Sequence, residues 1–386
     1  MRFAMVIAVA LMPLSALAQV PQGAPNADFA PAFQNQTRAP ALAETPLDVT
    51  VFAKGLRRPW GIAPLPSGQF LVTERGGALR VVSADGSVSG PISGVPDVFA
   101  DGQGGLLDVA ISPRFSQDRT IFWTYSKPVR GGAVTAAARG ALSNEGRLTD
   151  VRDIFVQSDP NRGGRHFGSR IIPMRDGTVW ITTGDRGEGD SGTMPQQLDS
   201  TVGKVIRVAA DGGVPQGNPF VGQAGAEEIW SLGHRNMQGA AIDDRGRLWT
   251  IEHGPRGGDE LNLPLAGRNY GWPIVSYGIN YSGDPLGSGA AVLSGTEQPV
   301  YYWDPVIAPA GMAFYDGPYN AWRGDLLIGS LNPGGLVRLK ISGDRVVGEE
   351  RLLPDVGRVR DVEVLADGRV LLLVDSGEIL AVRPGG

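Results

Sequence analysis

The sequence predicts an all-β fold: a six-bladed β-propeller with four-stranded antiparallel blades and long inserted loops. Three observations carry this expectation. The chain holds 56 Gly and 29 Pro in 386 residues, which favours many turns over long helices. A short cassette recurs, in which a Gly-bearing turn precedes a run of β-branched and aromatic residues. Six copies start near Phe70, Ile121, Val179, Leu248, Leu326 and Val370. Spacings of roughly 45 to 80 residues suit blades that carry insertions. A two-sheet sandwich would not need one cassette six times, and radial blades leave few open edges.

Taken in order, the chain opens with Arg2, an apolar run from Phe3 to Leu14, and small residues up to Ala18. That pattern predicts a secretory signal peptide over 1–18, too short for a membrane span, and a periplasmic location. Residues 19–45, rich in Ala, Pro, Gln and Asn, read as a flexible N-terminal extension. Residues 46–386 form the propeller domain. Its cassettes run Ser67-Gly68 into QFLVTE, Asp118-Arg119 into TIFWTY, and Asp176-Gly177 into TVWITTGD. They continue with Arg245-Gly246 into RLWTIEHG, Arg323-Gly324 into DLLIGS, and Asp367-Gly368 into RVLLLVD. The longest inserted segment follows the fourth copy. Helix is expected only at Gln196 to Lys204, as a turn or two.

Composition narrows the function. The net charge is -5, with 42% hydrophobic and 19% charged residues. This describes a globular protein with a core, and neither a nucleic-acid binder nor a membrane-surface binder. No later stretch is long and apolar enough for membrane insertion. The absence of Cys removes disulfides, thiolate metal sites and Cys nucleophiles.

The densest polar stretch runs from Ser231 to Trp272 and contains two of the three histidines, His234 and His253. It also carries Arg235, Asn236 and Gln238, the turn Glu252-His253-Gly254-Pro255, and the pair Asp259-Glu260. Glu252, Asp259 and Glu260 suit a hard cation; the alternative for Asp259 is turn capping. His166, among glycines and arginines, is the best candidate base, with Asp185 placed to orient it. The alternative is a structural loop histidine. The acidic run from Asp185 to Asp190 lacks the ligand spacing of an EF-hand. Arg235, Arg358 and Arg360 suit paired hydrogen bonds to carboxylates, or surface salt bridges.

In their order along the chain, GQGGLLDVAISPRF, GGRHFGSRI, TTGDRGEGD, SLGHRNMQG, EHGPRGGDELNLPLAGRNYGWP and GRVRDVEVLADGRVLLLVD carry a resemblance. The chain resembles the soluble pyrroloquinoline quinone (PQQ)-dependent sugar dehydrogenases, the glucose/sorbosone and aldose sugar dehydrogenase family. The likeness spans about Leu56 to Val382. It implies PQQ and Ca²⁺ as cofactors, an aldose sugar as substrate and a periplasmic electron acceptor, in a monomer or homodimer. By position, His166 matches the base that deprotonates the anomeric hydroxyl, Asp185 its acidic partner, and Gln103 a pocket glutamine. Arg235, Asn236 and Gln238 match the run that contacts PQQ. Arg358 and Arg360 match the pair that grips its carboxylates. Gly254 and Pro255 match carbonyl ligands of the calcium beneath PQQ. Glu260 and Tyr270 match ligands of a second, structural calcium. Tyr301 and Trp303 fall near the aromatic wall of the sugar pocket. Asn332 stands where some members have a lysine, which implies weaker PQQ binding unless an arginine such as Arg338 compensates.

Two other readings are a calcium-dependent lactonase-type propeller hydrolase and a non-catalytic carbohydrate-binding propeller. The first needs a carboxylate and Asn cage on the axis. Retention of His166, Arg235 and the EHGP turn speaks against the second.

Overall fold

The computed structural model describes residues 19–187 and 192–385. The expected signal peptide and the run Glu188-Gly189-Asp190 lie outside the described residues. Six antiparallel sheets form the blades of a propeller. Every cassette start named from the sequence falls on the second strand of a blade: Phe70–Glu74, Thr120–Val129, Thr178–Thr183, Leu248–Glu252, Leu326–Ser330 and Val370–Val374. The innermost strands are Pro59–Pro64, Leu106–Ile111, Gly168–Pro173, Met237–Ile242, Pro309–Phe314 and Val359–Val364. Five blades have four strands, and the first has three. There Val88 bridges Val82 on the outer edge, standing where a fourth strand would lie.

The last blade is completed by the strand Leu47–Lys54, which pairs antiparallel with Glu378–Pro384. This fastens the start of the domain to its end and closes the ring. Between neighbouring blades lie separate apolar layers. One packs Trp249, Leu261 and Trp303 against Leu326, Ile328 and Val337; another packs Phe122 and Ile154 against Ile171 and Ile206.

The extension at 19–45 is docked rather than free. Asn26 Nδ2 donates to Asp304 Oδ1 at 2.6 Å, and Gln36 Nε2 donates to Pro299 O at 3.0 Å. Ala41 bridges Glu349 on the outermost strand of the fifth blade, which covers that edge. The helical expectation at Gln196–Lys204 fails: a 3-10 turn covers Met194–Gln196, and Lys204 opens a strand. Lys204 Nζ donates to Met194 O and Val202 O at 2.9 and 2.7 Å, so it ties the loop down without a helix.

Two kinds of segment meet on one face. Because the first and second strands of each blade run antiparallel, the residues before an innermost strand sit beside those after the second strand. The turns between them, Gly-bearing in all blades but the second, mark the opposite face. Each of the six pairs also has a register irregularity near its site-facing end. Such bulges re-aim a strand.

Candidate active site

His166, before the third innermost strand, and Asp185, after the second strand of the same blade, meet on that face. Nδ1 of His166 lies 2.6 Å from Asp185 Oδ1. With its proton on Nδ1, the imidazole keeps its lone pair at Nε2. Asp185 Oδ1 also accepts from Gly187 N at 2.8 Å, and its Oδ2 accepts from Trp272 Nε1 at 2.8 Å. Burial raises the Asp185 pKa, but the His166 hydrogen bond and charge and the Arg235 charge outweigh it and hold the carboxyl below its usual range. His166 adopts φ 49°, uncommon for a non-glycine residue. Gln103 Oε1 holds this conformation by accepting from His166 N at 2.8 Å. Gln103 N in turn donates to Gly164 O at 2.6 Å. A Cβ on Gly102 would stand 2.3 Å from that oxygen, so the approach of these loops needs glycine.

The cationic side is built from the fourth and sixth blades. Arg235 Nη1 donates to His253 O and Gly254 O at 3.1 and 2.8 Å, while its Nε is buried without a partner. Asn236 Oδ1 accepts from Gly168 N at 3.1 Å. Gln238 Oε1 accepts from Arg360 Nη1 at 3.1 Å. Arg358 and Arg360 share Asp375, at 2.8 and 3.2 Å. Arg75 joins them: burial, then Arg360 and Arg58, lower its pKa. It donates to the carbonyls of Gly102 and Gly104, bracing the Gln103 loop. His253 lies between the two sides. Burial first, then the charges of Arg235, His166 and Arg360, hold its pKa down to about 3.

A model of the Glucose / Sorbosone dehydrogenase family matches residues 56–381. The chain belongs to that family. It is 42% identical to the aldose sugar dehydrogenase YliI of Escherichia coli (strain K12), over 89% of this chain and 94% of that protein. The crystal structure of the soluble aldose sugar dehydrogenase from Escherichia coli in the apo form matches with TM-score 0.83, covering 88% of this chain and 100% of that one. The PQQ-bound aldose sugar dehydrogenase of Streptomyces coelicolor matches with TM-score 0.74 at 29% identity, covering 88% and 99%. Membership makes the chain an oxidoreductase of the sugar-dehydrogenase type. Among the described residues no helix is long and apolar enough to cross a membrane.

Three expectations from the sequence are corrected by the contacts these residues make, the third in favour of the turn-capping alternative for Asp259. Tyr301 and Trp303 are fully buried on the outermost strand of the fourth blade, away from the axis. Tyr301 Oη donates to Glu349 Oε2 at 2.6 Å and Trp303 Nε1 donates to Glu349 Oε1 at 3.2 Å. They satisfy a buried carboxylate and line no sugar pocket. Arg338 is committed to Asp325 and Glu350, both at 2.7 Å, so it cannot replace the missing lysine. Asp259 is a turn cap, accepting from Gly254 N, Ile307 N and Ala308 N. Asn332 is exposed, and the neighbouring Leu331 O accepts from Arg358 at 3.0 Å.

The residues fit an anionic cofactor. A buried guanidinium nitrogen without a partner and a group of arginines sharing one carboxylate both call for an anion. Among the described residues no cluster of three or more acidic or histidine side chains forms a metal cage, but the surroundings of Glu260 are acidic. Burial, then the nearby Glu252 carboxylate, push its pKa well up, and Asn262 Oδ1 is buried without a partner. Tyr270 stacks on His234 at 4.7 Å and its hydroxyl donates to Leu263 O at 2.6 Å. Pro255 follows Gly254 in the bend beside Arg235. Sequence reasoning gave no site role to Arg75, His253, Asp375 and Trp272, although His253 stood inside the polar stretch it singled out. Three of these had a signal: Arg75, His253 and Asp375 follow second strands, as Asp185 does.

Proposed function

We propose that the protein is a PQQ-dependent aldose sugar dehydrogenase that oxidises the anomeric hydroxyl to an aldonolactone, with His166 as general base. The carrying observation is the His166–Asp185 pair, with Nε2 left as acceptor, on the face that gathers Arg235, Arg358 and Arg360. Arg358 and Arg360 would hold the cofactor's carboxylates, with Gln103, Asn236 and Gln238 as polar partners and Asn332 at the rim. The carbonyls of Gly254 and Pro255 would take a Ca²⁺ ion once Arg235 Nη1 turns from Gly254 O, its partner in this structure, and Glu260 with Tyr270 would take a second one. When bound, PQQ supplies a two-electron acceptor for the hydride leaving the sugar carbon.

The chain's own part is proton handling and electrostatics. His166 Nε2 takes the hydroxyl proton, a role worth roughly 10²–10⁴ in rate. Asp185 fixes the tautomer and steadies the imidazolium. Arg235 sets a fixed positive charge where negative charge develops. Turnover would need an electron acceptor, which the expected signal peptide at 1–18 would place in the periplasm. The test is reconstitution: protein incubated with PQQ and Ca²⁺, then aldoses and a dye acceptor. Dye reduction is expected; none across a panel of mono- and disaccharides rejects the reading.

A further inference from the structure

We propose that Trp272 is a positioning residue that joins the His166–Asp185 pair to Arg235, so that the basic and cationic sides of the site respond to each other. The inference rests on the reading of His166 as base, which gives the link its purpose. Its geometric basis stands apart from that reading.

Trp272 comes from the segment inserted between the third and fourth strands of the fourth blade, and it is buried. Its Nε1 donates to Asp185 Oδ2 at 2.8 Å. The face of the same ring lies 5.0 Å from the Arg235 guanidinium, within cation–π range. Both backbone atoms are held: Trp272 N donates to Gly233 O at 2.9 Å, and Trp272 O accepts from Gln196 Nε2 at 2.7 Å. These bonds fix the backbone from which the ring projects, and rotating the ring would break both the Asp185 hydrogen bond and the Arg235 contact. A backbone bond runs alongside, from Asp185 N to Arg235 O at 2.7 Å.

Asp185 divides its two oxygens. Oδ1 serves His166 and Gly187 N, and Oδ2 serves the indole. An N–H donor on a carboxylate draws negative charge toward itself. The indole thus moderates how strongly Asp185 holds a protonated His166, and it keeps Oδ1 turned toward Nδ1. A tryptophan that merely filled space would need no donor aimed at the acid. Among the described residues, the other titratable groups around this pair are Arg235, the neutral His253 and, through their loop backbones, Arg165 and Arg186. Arg186 N donates to His166 O at 3.2 Å, and Arg186 Nε donates to Arg165 O.

The test uses ¹⁵N-labelled full-length protein without cofactor or sugar. In wild type, the Trp272 indole cross-peak is expected to move over the pH range in which the His166 imidazole takes up its proton, and to stay still in His166→Gln. Trp272→Phe keeps a ring for Arg235 and removes the donor. The His166 imidazole should then hold its proton more tightly than in wild type, because Asp185 has lost a competing partner. Trp272→Leu removes both contacts: it should show the same tightening and bind PQQ several-fold more weakly than Trp272→Phe. An indole signal indifferent to His166, or an unchanged imidazole titration in Trp272→Phe, overturns the link to the base. Equal PQQ affinity in the Phe and Leu variants overturns the link to Arg235. If neither variant folds, the wild-type indole signal decides. Failure to oxidise sugars with these couplings intact would sink the dehydrogenase reading and leave the link standing.

Discussion

Two levels of the propeller axis use arginine in opposite ways. Midway along the innermost strands, Arg170 lies between Asp108 and Asp361 at 3.0 and 2.9 Å. Its Nε donates to Gln238 O at 2.7 Å, and Trp60 packs against it at 4.3 Å. One cation meets two acids, and every contact is internal. At the site-facing end the balance is reversed. Arg358 and Arg360 share Asp375, Arg75 is crowded by them, and Arg235 makes no ion pair among the described residues. The comparison separates arginine that closes the axis from arginine that faces a ligand. The two levels touch, since Arg170 Nη2 donates to Arg360 O at 3.2 Å, so the closed level is the platform for the open one.

Substitution should separate the levels. Arg170→Met strands two buried carboxylates, and unfolding by denaturant should show a loss of about 3–5 kcal/mol. Arg360→Gln should cost little stability and instead weaken PQQ binding. Equal stability losses would break the comparison. His166→Gln should lower kcat by roughly 10²–10³ while PQQ still binds; near-normal turnover removes His166 as base.

His253 tests the boundary between the two sides. Its folded pKa, about 3, lies below the ordinary histidine value of 6.5. Between these values the unfolded chain binds the proton and the native chain does not, so stability is full above pH 6.5 and falls as pH drops toward 3. By pH 4 this amounts to at most about 3 kcal/mol. In melting curves from pH 7 to 4, His253→Gln should lose less stability than wild type; parallel curves would mean that His253 is not held neutral. The smallest effect belongs to the rim. Asn332→Lys should tighten PQQ binding a few-fold, because it adds charge beside Arg358; unchanged or weaker binding would show that this position does not face the cofactor.

Much of the fold could be read directly because its signal is local. A turn, Gly-bearing in five of the six copies and Asp118-Arg119 in the other, followed by a β-rich run is a property of consecutive residues, and all six named starts fall on second strands. The same locality explains the site residues that were found. His166, Asp185, Arg235 and Arg358 stand in polar loops flanking those strands, where a buried strand has no use for them. What escaped depends on closure of the ring. Tyr301 and Trp303 look like a pocket wall in sequence, but the buried carboxylate of Glu349, on the next blade, claims both. Residues 19–45 lack periodicity because they pack as an irregular strap along a finished edge. Trp272 lies 87 residues from Asp185, and nothing near it in sequence indicates that contact.

The central claim is that the site-facing end of the axis is an anion site shaped for a tricarboxylated quinone resting on a divalent ion. Titration of the cofactor-free protein with PQQ, followed by optical absorbance with and without Ca²⁺, tests it most directly. The account predicts saturable, Ca²⁺-dependent binding that is weakened at least tenfold when Arg358 and Arg360 are both changed to Gln, with the melting temperature nearly unchanged. Binding of equal strength in that double variant, or none in the wild type, would contradict it.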